Sequence, residues 1–357
     1  MIEDRFARQR LIPAWNQDLI SSATVVVVGV GALGNEVAKN LALMGVGRLI
    51  LCDPDVVSLS NLSRTVLFRP SDIGRHKVDV AAEALAGMAP DVVVERVPAD
   101  LTSGVGLGRL ADADVVMGCL DARRSRLELL GRCALSGARL IDGGTHPWGG
   151  EVRVRVDPQE PCHGCSYTAA ERAERDVPVG CDPRAGVAVA PASIVSTALV
   201  ASWMTIAAAQ LLLGHDVPWR MLSLDAGAGR AEWVVVRRDS SCPHHRPVPD
   251  AIVSDISHKA TVAELMSILP ADAEPLSWTL FSVPGICYHC EGRYAFGHAY
   301  PHQTAPCPHC GERLRISFTE AIAAADRTTR LQDLGIAAEE IIAVRLAGGE
   351  FLWLRLK

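Results

Sequence analysis

The chain carries no surplus of basic charge: 35 Lys and Arg stand against 41 Asp and Glu, a net charge of −6 over 357 residues. A broad nucleic-acid footprint needs Lys and Arg clustered on one face, so no nucleic-acid partner is expected, although a local basic pocket for phosphates stays open. The opening residues, MIEDRFARQR, are charged and lead into no apolar core, so no secretory leader is expected and a cytoplasmic address follows. Internal repeats and low-complexity tracts are also missing. What is left is an ordinary globular balance, 49% hydrophobic and 21% charged, in a length that suits about two domains.

One long uncharged run stands out. Residues 193–213, SIVSTALVASWMTIAAAQLLL, are long enough to span a bilayer. Ser193, Ser196, Thr197, Ser202, Thr205 and Gln210 interrupt it, and no Lys/Arg cluster flanks it closely. The reading is a buried core or subunit-interface helix, with no membrane span.

Elsewhere, short apolar runs alternate with helical patterns. Residues 24–29 form a continuous β-branched run of the kind buried in parallel sheets. RLILCD (48–53), DVVVERV (91–97), ADVVMGCLD (113–121) and RLIDGG (139–144) read as further strands. VDVAAEALAGMA (78–89) and RLELLGRCALSG (126–137) read as helices between them. This alternation predicts an α/β fold with a doubly wound, Rossmann-like, mostly parallel sheet. Past residue 250 the pattern shifts to spaced Cys pairs, a helix over 261–269, and two apolar runs around Gly348-Gly349 that read as a hairpin. The expected division is therefore 1–249 and a smaller α+β domain over 250–357, with the Pro-containing stretch 242–250 as linker.

The first strand runs into GVGALG, with Gly29, Gly31 and Gly34. A GxGxxG between strand and helix lets backbone N–H groups approach a phosphate at the positive end of the helix. Asp53 lies 19 residues after Gly34 at a strand end, where an acid for a ribose hydroxyl belongs. Asp55 reads as a cap for the next turn. The motif leaves NAD, FAD and ATP open. A hydride transferase would want a general acid or base near later strand ends, and His146 is the obvious candidate.

The residues after Asp53 favour a triphosphate. VSLSNLSRT brings Asn61 and Arg64, GRHK brings Lys77, GCLD ends on Asp121, and RFARQ near the start brings Arg5 and Arg8. Cations can neutralise phosphates, and a carboxylate at a strand end can hold magnesium. Asp121 could instead cap the helix that follows it.

In that order, RFARQ, GVGALG, LCDPDVVSLSNLSR, GRHK and CLD resemble the adenylation domain of ubiquitin-activating enzymes, above all the bacterial ThiF/MoeB type. The likeness covers roughly Arg5 to His245. It implies an ATP-dependent adenylyltransferase that activates the C-terminal glycine carboxylate of a ubiquitin-like small protein. It further implies that Asp53 binds the ribose, that Asn61, Arg64 and Lys77 contact the triphosphate, and that Asp121 holds magnesium. Arg8 would reach into the other subunit of a homodimer. Two positions depart from the family pattern, which reads Arg-Gln and Asp-Asn where this chain has Arg64-Thr65 and Asp121-Ala122. The same chemistry on a ribosomal peptide is an alternative substrate reading, and an NAD-dependent oxidoreductase is the alternative outside the class.

Eleven cysteines complete the reading. Cys162 and Cys165 are spaced for metal, and Cys242 with His245 supplies a matching half; His244 is the second choice. In the resembling family this site holds four Cys, so His245 is a substitution. Cys287, Cys290, Cys307 and Cys310 form two pairs with 16 residues between them, the spacing of a zinc ribbon. Two structural zinc ions are expected. Cys52, Cys119 and Cys133 read as core residues. Cys181 sits in a polar Gly/Pro-rich loop where the resemblance implies a thioester-forming or sulfur-transfer Cys, with Arg184 placed to lower its thiol pKa. Downstream, the resemblance leaves a conjugating enzyme or a sulfur-carrier pathway open.

Overall fold

In residues 24–28, TVVVV, the four valines are buried on both faces, and the run forms an interior strand of an eight-stranded sheet. The structure, a computed structural model, describes residues 4–173, 193–294 and 306–357. These divide into two units: Met1–Leu101 with Leu110–Pro247, and Thr102–Arg109 with Val248–Lys357.

The first unit is built on β1 (Thr24–Val28), β2 (Arg48–Cys52), β3 (Val93–Val97), β4 (Val115–Gly118), β5 (Leu140–His146), β6 (Gly149–Arg155), β7 (Met221–Asp225) and β8 (Arg230–Trp233). Their order is β3-β2-β1-β4-β5-β6-β7-β8. The pairings among β3, β2, β1, β4 and β5 are parallel, and the remaining three are antiparallel. The helices are α1 (Gln17–Ser22), α2 (Ala32–Met44), α3 (Lys77–Met88), α4 (Leu101–Gly104) and α5 (Leu107–Asp112), which carry the Thr102–Arg109 segment of the second unit, α6 (Arg123–Ser136), α7 (Ala169–Ala173), α8 (Ile194–Leu212) and, in the second unit, α9 (Val262–Ser267). The chain winds outward from β1 to β3, then returns to β4 on the other side of β1. The carboxyl ends of β1 and β4 therefore flank the point where strand order reverses, the place where such sheets bind ligands.

The uncharged run forms α8, which packs on β5, β6 and α2. Val200, Ala201, Met204, Ala207, Ala208 and Leu211 join the main core, while Val195 and Ile206 stay exposed. By length and composition alone this helix could cross a membrane. Its buried face is the core role expected of it.

The second unit holds β9 (Ile252–Val253), β10 (Glu274–Ile286), β11 (Arg293–Tyr294), β12 (Arg315–Ala321), β13 (Ile341–Arg345) and β14 (Phe351–Arg355). The hairpin expected around Gly348-Gly349 is present as antiparallel β13 and β14. Leu265, Phe281, Leu331, Ile342, Val344 and Leu356 centre its core. Within this unit the Thr102–Arg109 segment is pinned by Glu340, whose carboxylate accepts from Leu107 N at 2.9 Å. The sequence gives no sign that this piece of a crossover belongs with the C-terminal strands.

Candidate active site and metal centres

The glycines of the first loop are spaced for contact. Gly29 has φ +87°, and a Cβ there would lie 2.6 Å from Cys119 O. A Cβ on Gly34 would lie 1.9 Å from Gly29 O, so α2 can approach the loop only without a side chain. Gly31 differs: a Cβ there would meet nothing within 4 Å, and the residue caps α2 with its backbone. Two glycines thus close the turn and the third leaves open space at a helix N-terminus. Asn35, fully buried, then fixes the loop from within the helix. Its Nδ2 donates to Val30 O at 2.8 Å and Gly31 O at 3.1 Å, and its Oδ1 accepts from Leu67 N at 3.0 Å. Sequence reasoning passed over Asn35; an amide immediately after the last glycine was the available signal.

Asp53 follows β2 and is buried. Its Oδ2 accepts from Val30 N at 2.7 Å and its Oδ1 from Asp55 N at 2.9 Å. Burial pushes the Asp53 carboxyl up, and Lys77 and these two N–H groups pull it only part of the way back. Lys77 opens α3 and is itself buried, with Nζ 3.6 Å from Asp53 Oδ1 and 2.6 Å from Asp55 Oδ2. Asp55 is therefore an ion-pair partner of Lys77, and the capping role expected of it is not what the structure shows.

Asn61 ends the short helical segment Leu59–Asn61 after β2, and Arg64 follows in the bend beyond it. Asn61 Oδ1 accepts from Ser58 N at 2.9 Å, and Arg64 Nη1 donates to Ser60 O at 2.5 Å. Thr65, at the first departure from the family pattern, is buried and donates to Asn61 O at 3.0 Å. Asp121 is exposed just beyond β4. The N-cap of α6 is Ala122, with no side-chain cap, so Asp121 is not tied up in capping. Arg8 is exposed, whereas Arg5 donates to Met88 O at 2.8 Å. Topology places the glycine loop, Asp53 and Asp121 at the carboxyl ends of β1, β2 and β4. Cys181 and Arg184 lie outside the described residues. Cys52, Cys119 and Cys133 are buried, with thiols pushed up by burial.

Both metal-spaced sets come together. The ligand atoms of Cys162, Cys165, Cys242 and His245 all lie within 4.8 Å of one another. His245 Nδ1 donates to Pro158 O at 2.8 Å, which turns Nε2 toward Cys165 Sγ at 3.1 Å and Cys162 Sγ at 3.7 Å. A ring nitrogen fixed by a carbonyl leaves the other as the metal ligand, so His245 and not His244 completes the set. Arg155, buried, donates to Pro158 O and His244 O at 2.9 and 2.8 Å and braces this knuckle with a positive charge. The expected linker, 242–250, thus begins inside this cluster of Cys and His side chains. Cys287, Cys290, Cys307 and Cys310 likewise converge within 4.8 Å. Their small cluster has one other fully buried apolar residue among the described residues, Leu314. Closed sets of four N/S donors fit structural zinc and leave no open catalytic position.

Comparison with known proteins agrees with this geometry. The family model described as "ThiF family" matches residues 4–244. The chain belongs to the ThiF family. As a ThiF-family member it is similar to the Escherichia coli K12 sulfur carrier protein ThiS adenylyltransferase, 33% identical over 67% of this chain and 93% of that protein. It is also similar to the Haloferax volcanii SAMP-activating enzyme E1, 32% identical over 67% of this chain and 87% of that one. Among solved structures, E. coli MccB shares the fold, with a TM-score of 0.57 at 19% identity over 70% of this chain and 75% of that one. The chain is an ATP-dependent adenylyltransferase. The hydride-transfer alternative falls with that assignment, and His146 is an exposed residue at the end of β5.

Proposed function

We propose that this enzyme adenylates the C-terminal carboxylate of a small sulfur-carrier or ubiquitin-like protein. The observation that supports this most is similarity, over two thirds of this chain and most of the relatives' own length, to proteins named for that work, joined to an Asp53–Lys77 pair beside an open Gly31. A carboxylate oxygen attacks the α-phosphorus of ATP, the bond from that phosphorus to the α,β-bridging oxygen breaks, pyrophosphate leaves, and the acyl-adenylate stays bound. The attacking group is already ionised, so no general base is required.

In this reading Asp53 holds the ribose, the backbone at Gly31 and the start of α2 receives phosphate, and Asn61, Arg64 and Lys77 contact the triphosphate. Lys77 trades part of its pairing with Asp55 for phosphate oxygens. Asp121 would hold magnesium, an ion that screens phosphate charge when bound. Preorganised cations of this kind supply about 3–4 kcal/mol per well-placed donor. Arg8 serves the second site of a homodimer, and the Cys181 thiolate attacks the acyl carbon of the adenylate, releasing AMP and leaving a thioester for transfer to a conjugating or sulfur-transfer partner. Zinc fills both cysteine clusters, and residues 250–357 form a separate domain for recruiting a partner.

The test is ATP–pyrophosphate exchange by the full chain with candidate Gly-ending carrier proteins, beside a non-reducing gel. Exchange that depends on one carrier supports the proposal. Exchange driven only by a short ribosomal peptide would replace the substrate, and none with any carrier would overturn it.

A further inference from the structure

A buried ionic cluster outside the nucleotide loop ties the metal-spaced knuckle to the start of α6. Asp142 in β5 is paired with Gly118 in β4, three residues before Asp121. Arg126, in the first turns of α6, reaches across to it. Arg126 Nε and Nη2 lie 3.0 and 2.6 Å from Asp142 Oδ2, and Nη2 lies 3.0 Å from Glu151 Oε1 on β6. Arg153 clamps the same Glu151 at 3.2 and 3.1 Å and donates to Ser166 Oγ at 3.2 Å. Gly144 makes room for the guanidinium, since a Cβ there would lie 2.8 Å from Arg126 Nη1. On the far side of Asp142 stands His163, with Nδ1 3.3 Å from Asp142 Oδ2 and Nε2 2.8 Å from Tyr167 OH. His163 sits in the chain between Cys162 and Cys165.

This cluster does a job that α6 leaves undone at its own end. Ala122 provides no side-chain cap; the Arg126 N–H makes the ordinary first-turn bond to Ala122 O at 3.1 Å, and what is particular to Arg126 is a side chain locked onto two strands. Asp121 is the residue next to that turn. We infer that Arg126 is a positioning residue: with Asp142 and Glu151 it fixes the turn that presents Asp121 at the nucleotide edge, and His163, packed 3.3 Å from Asp142 Oδ2, sets that lock against the Cys162–Cys165 knuckle. Charge balance supports it, because two guanidinium groups meet two carboxylates in a space that excludes most water. The inference rests on the proposed function, in which Asp121 is the magnesium acid.

The test uses the full zinc-loaded chain and measures equilibrium binding of ATP with magnesium and with EDTA. Wild type binds the magnesium complex more tightly. Arg126→Met is expected to lose about 10-fold of that advantage, the low end of the range for outer partners of a metal ligand, because it acts on Asp121 through the turn and not by contact. Its binding of ATP in EDTA and its zinc content stay the same, and Arg126→Lys recovers part of the loss. A second measurement follows amide hydrogen exchange of residues 121–127 in wild type before and after zinc is stripped by chelator, and faster exchange after stripping is expected. An unchanged magnesium advantage in a folded Arg126→Met overturns the positioning role. If the variants fail to fold, unchanged exchange at residues 121–127 in stripped wild type overturns the link. If wild type itself shows no magnesium advantage, the reading of Asp121 fails instead.

Discussion

Lys77 and Asp55 close a 2.6 Å ion pair at the mouth of the nucleotide loop, with Lys77 buried and the Asp55 side chain mostly in solvent. The asymmetry separates the two roles. Lys77 also faces the buried Asp53 carboxylate, which depends on it for charge compensation.

Lys77→Met is therefore expected to cut pyrophosphate exchange by about 10²–10³-fold, the cost of one preorganised donor. Asp55→Asn is expected to keep exchange and to lose no more than about 1 kcal/mol of stability, because half of its pair is solvated. Steady-state exchange and urea unfolding of both variants check this. Equal losses of exchange in the two would mean that the pair acts as a unit and that Lys77 has no separate task.

The two histidines after Cys242 offer a sharper contrast. His245→Ala should release one of two zinc equivalents, and His245→Cys should retain both, since a thiolate can replace the imidazole. His244→Ala should leave the zinc content at two. Elemental analysis of dialysed protein decides, and loss of zinc from the His244 variant would move the ligand to that residue.

Much of this arrangement was legible in the chain because it is encoded locally. The run 24–28, the three glycines and Asp53 lie in one continuous strand–loop–helix–strand stretch, and their periodicity and turn chemistry name the fold. Both cysteine sets announced themselves by spacing. What stayed hidden depends on contacts distant in sequence. Asp142 and Arg126 looked like one strand residue and one helix residue until β5 was set beside β4. The choice between His245 and His244 needed the carbonyl of Pro158, 87 residues away. Asp55 reads as a cap until α3 brings Lys77 to it. Nothing in the composition of residues 102–109 separates them from the sheet, because their attachment to Glu340 is made across 233 residues.

The Asp142 cluster should also govern acid stability. Burial works to raise the Asp142 carboxyl, but Arg126, with His163 behind it, more than reverses this and holds it below the usual carboxylate range. Glu151 is lowered in the same way, Arg153 and Arg126 overcoming burial. Acids depressed in the folded state contribute stability that is present above their unfolded values, about pH 4, and is lost as pH falls through the folded ones. Asp142→Asn leaves Arg126 short of a partner and should cost about 3–5 kcal/mol near neutrality. It should also lose less stability than wild type between pH 5 and pH 3. Urea midpoints of the two proteins across that range test the sign, and parallel curves would show that Asp142 is not among the titrating groups.

The glycine loop separates folding from binding. Gly34→Ala drives a methyl group to 1.9 Å from Gly29 O, a backbone atom that cannot move aside without opening the turn. That variant should lose thermal stability and ATP binding together. Gly31→Ala meets nothing within 4 Å and has φ −74°, so the fold should accept it with an unchanged melting temperature. The space the methyl group enters is the space a phosphate would use at the N-terminus of α2, so ATP affinity should fall at least about tenfold, or 1.4 kcal/mol. Calorimetric melting and nucleotide titration of both variants separate the cases. A Gly31→Ala protein that binds ATP normally would place the phosphates elsewhere on the rim of the sheet and would detach Gly31 from the site.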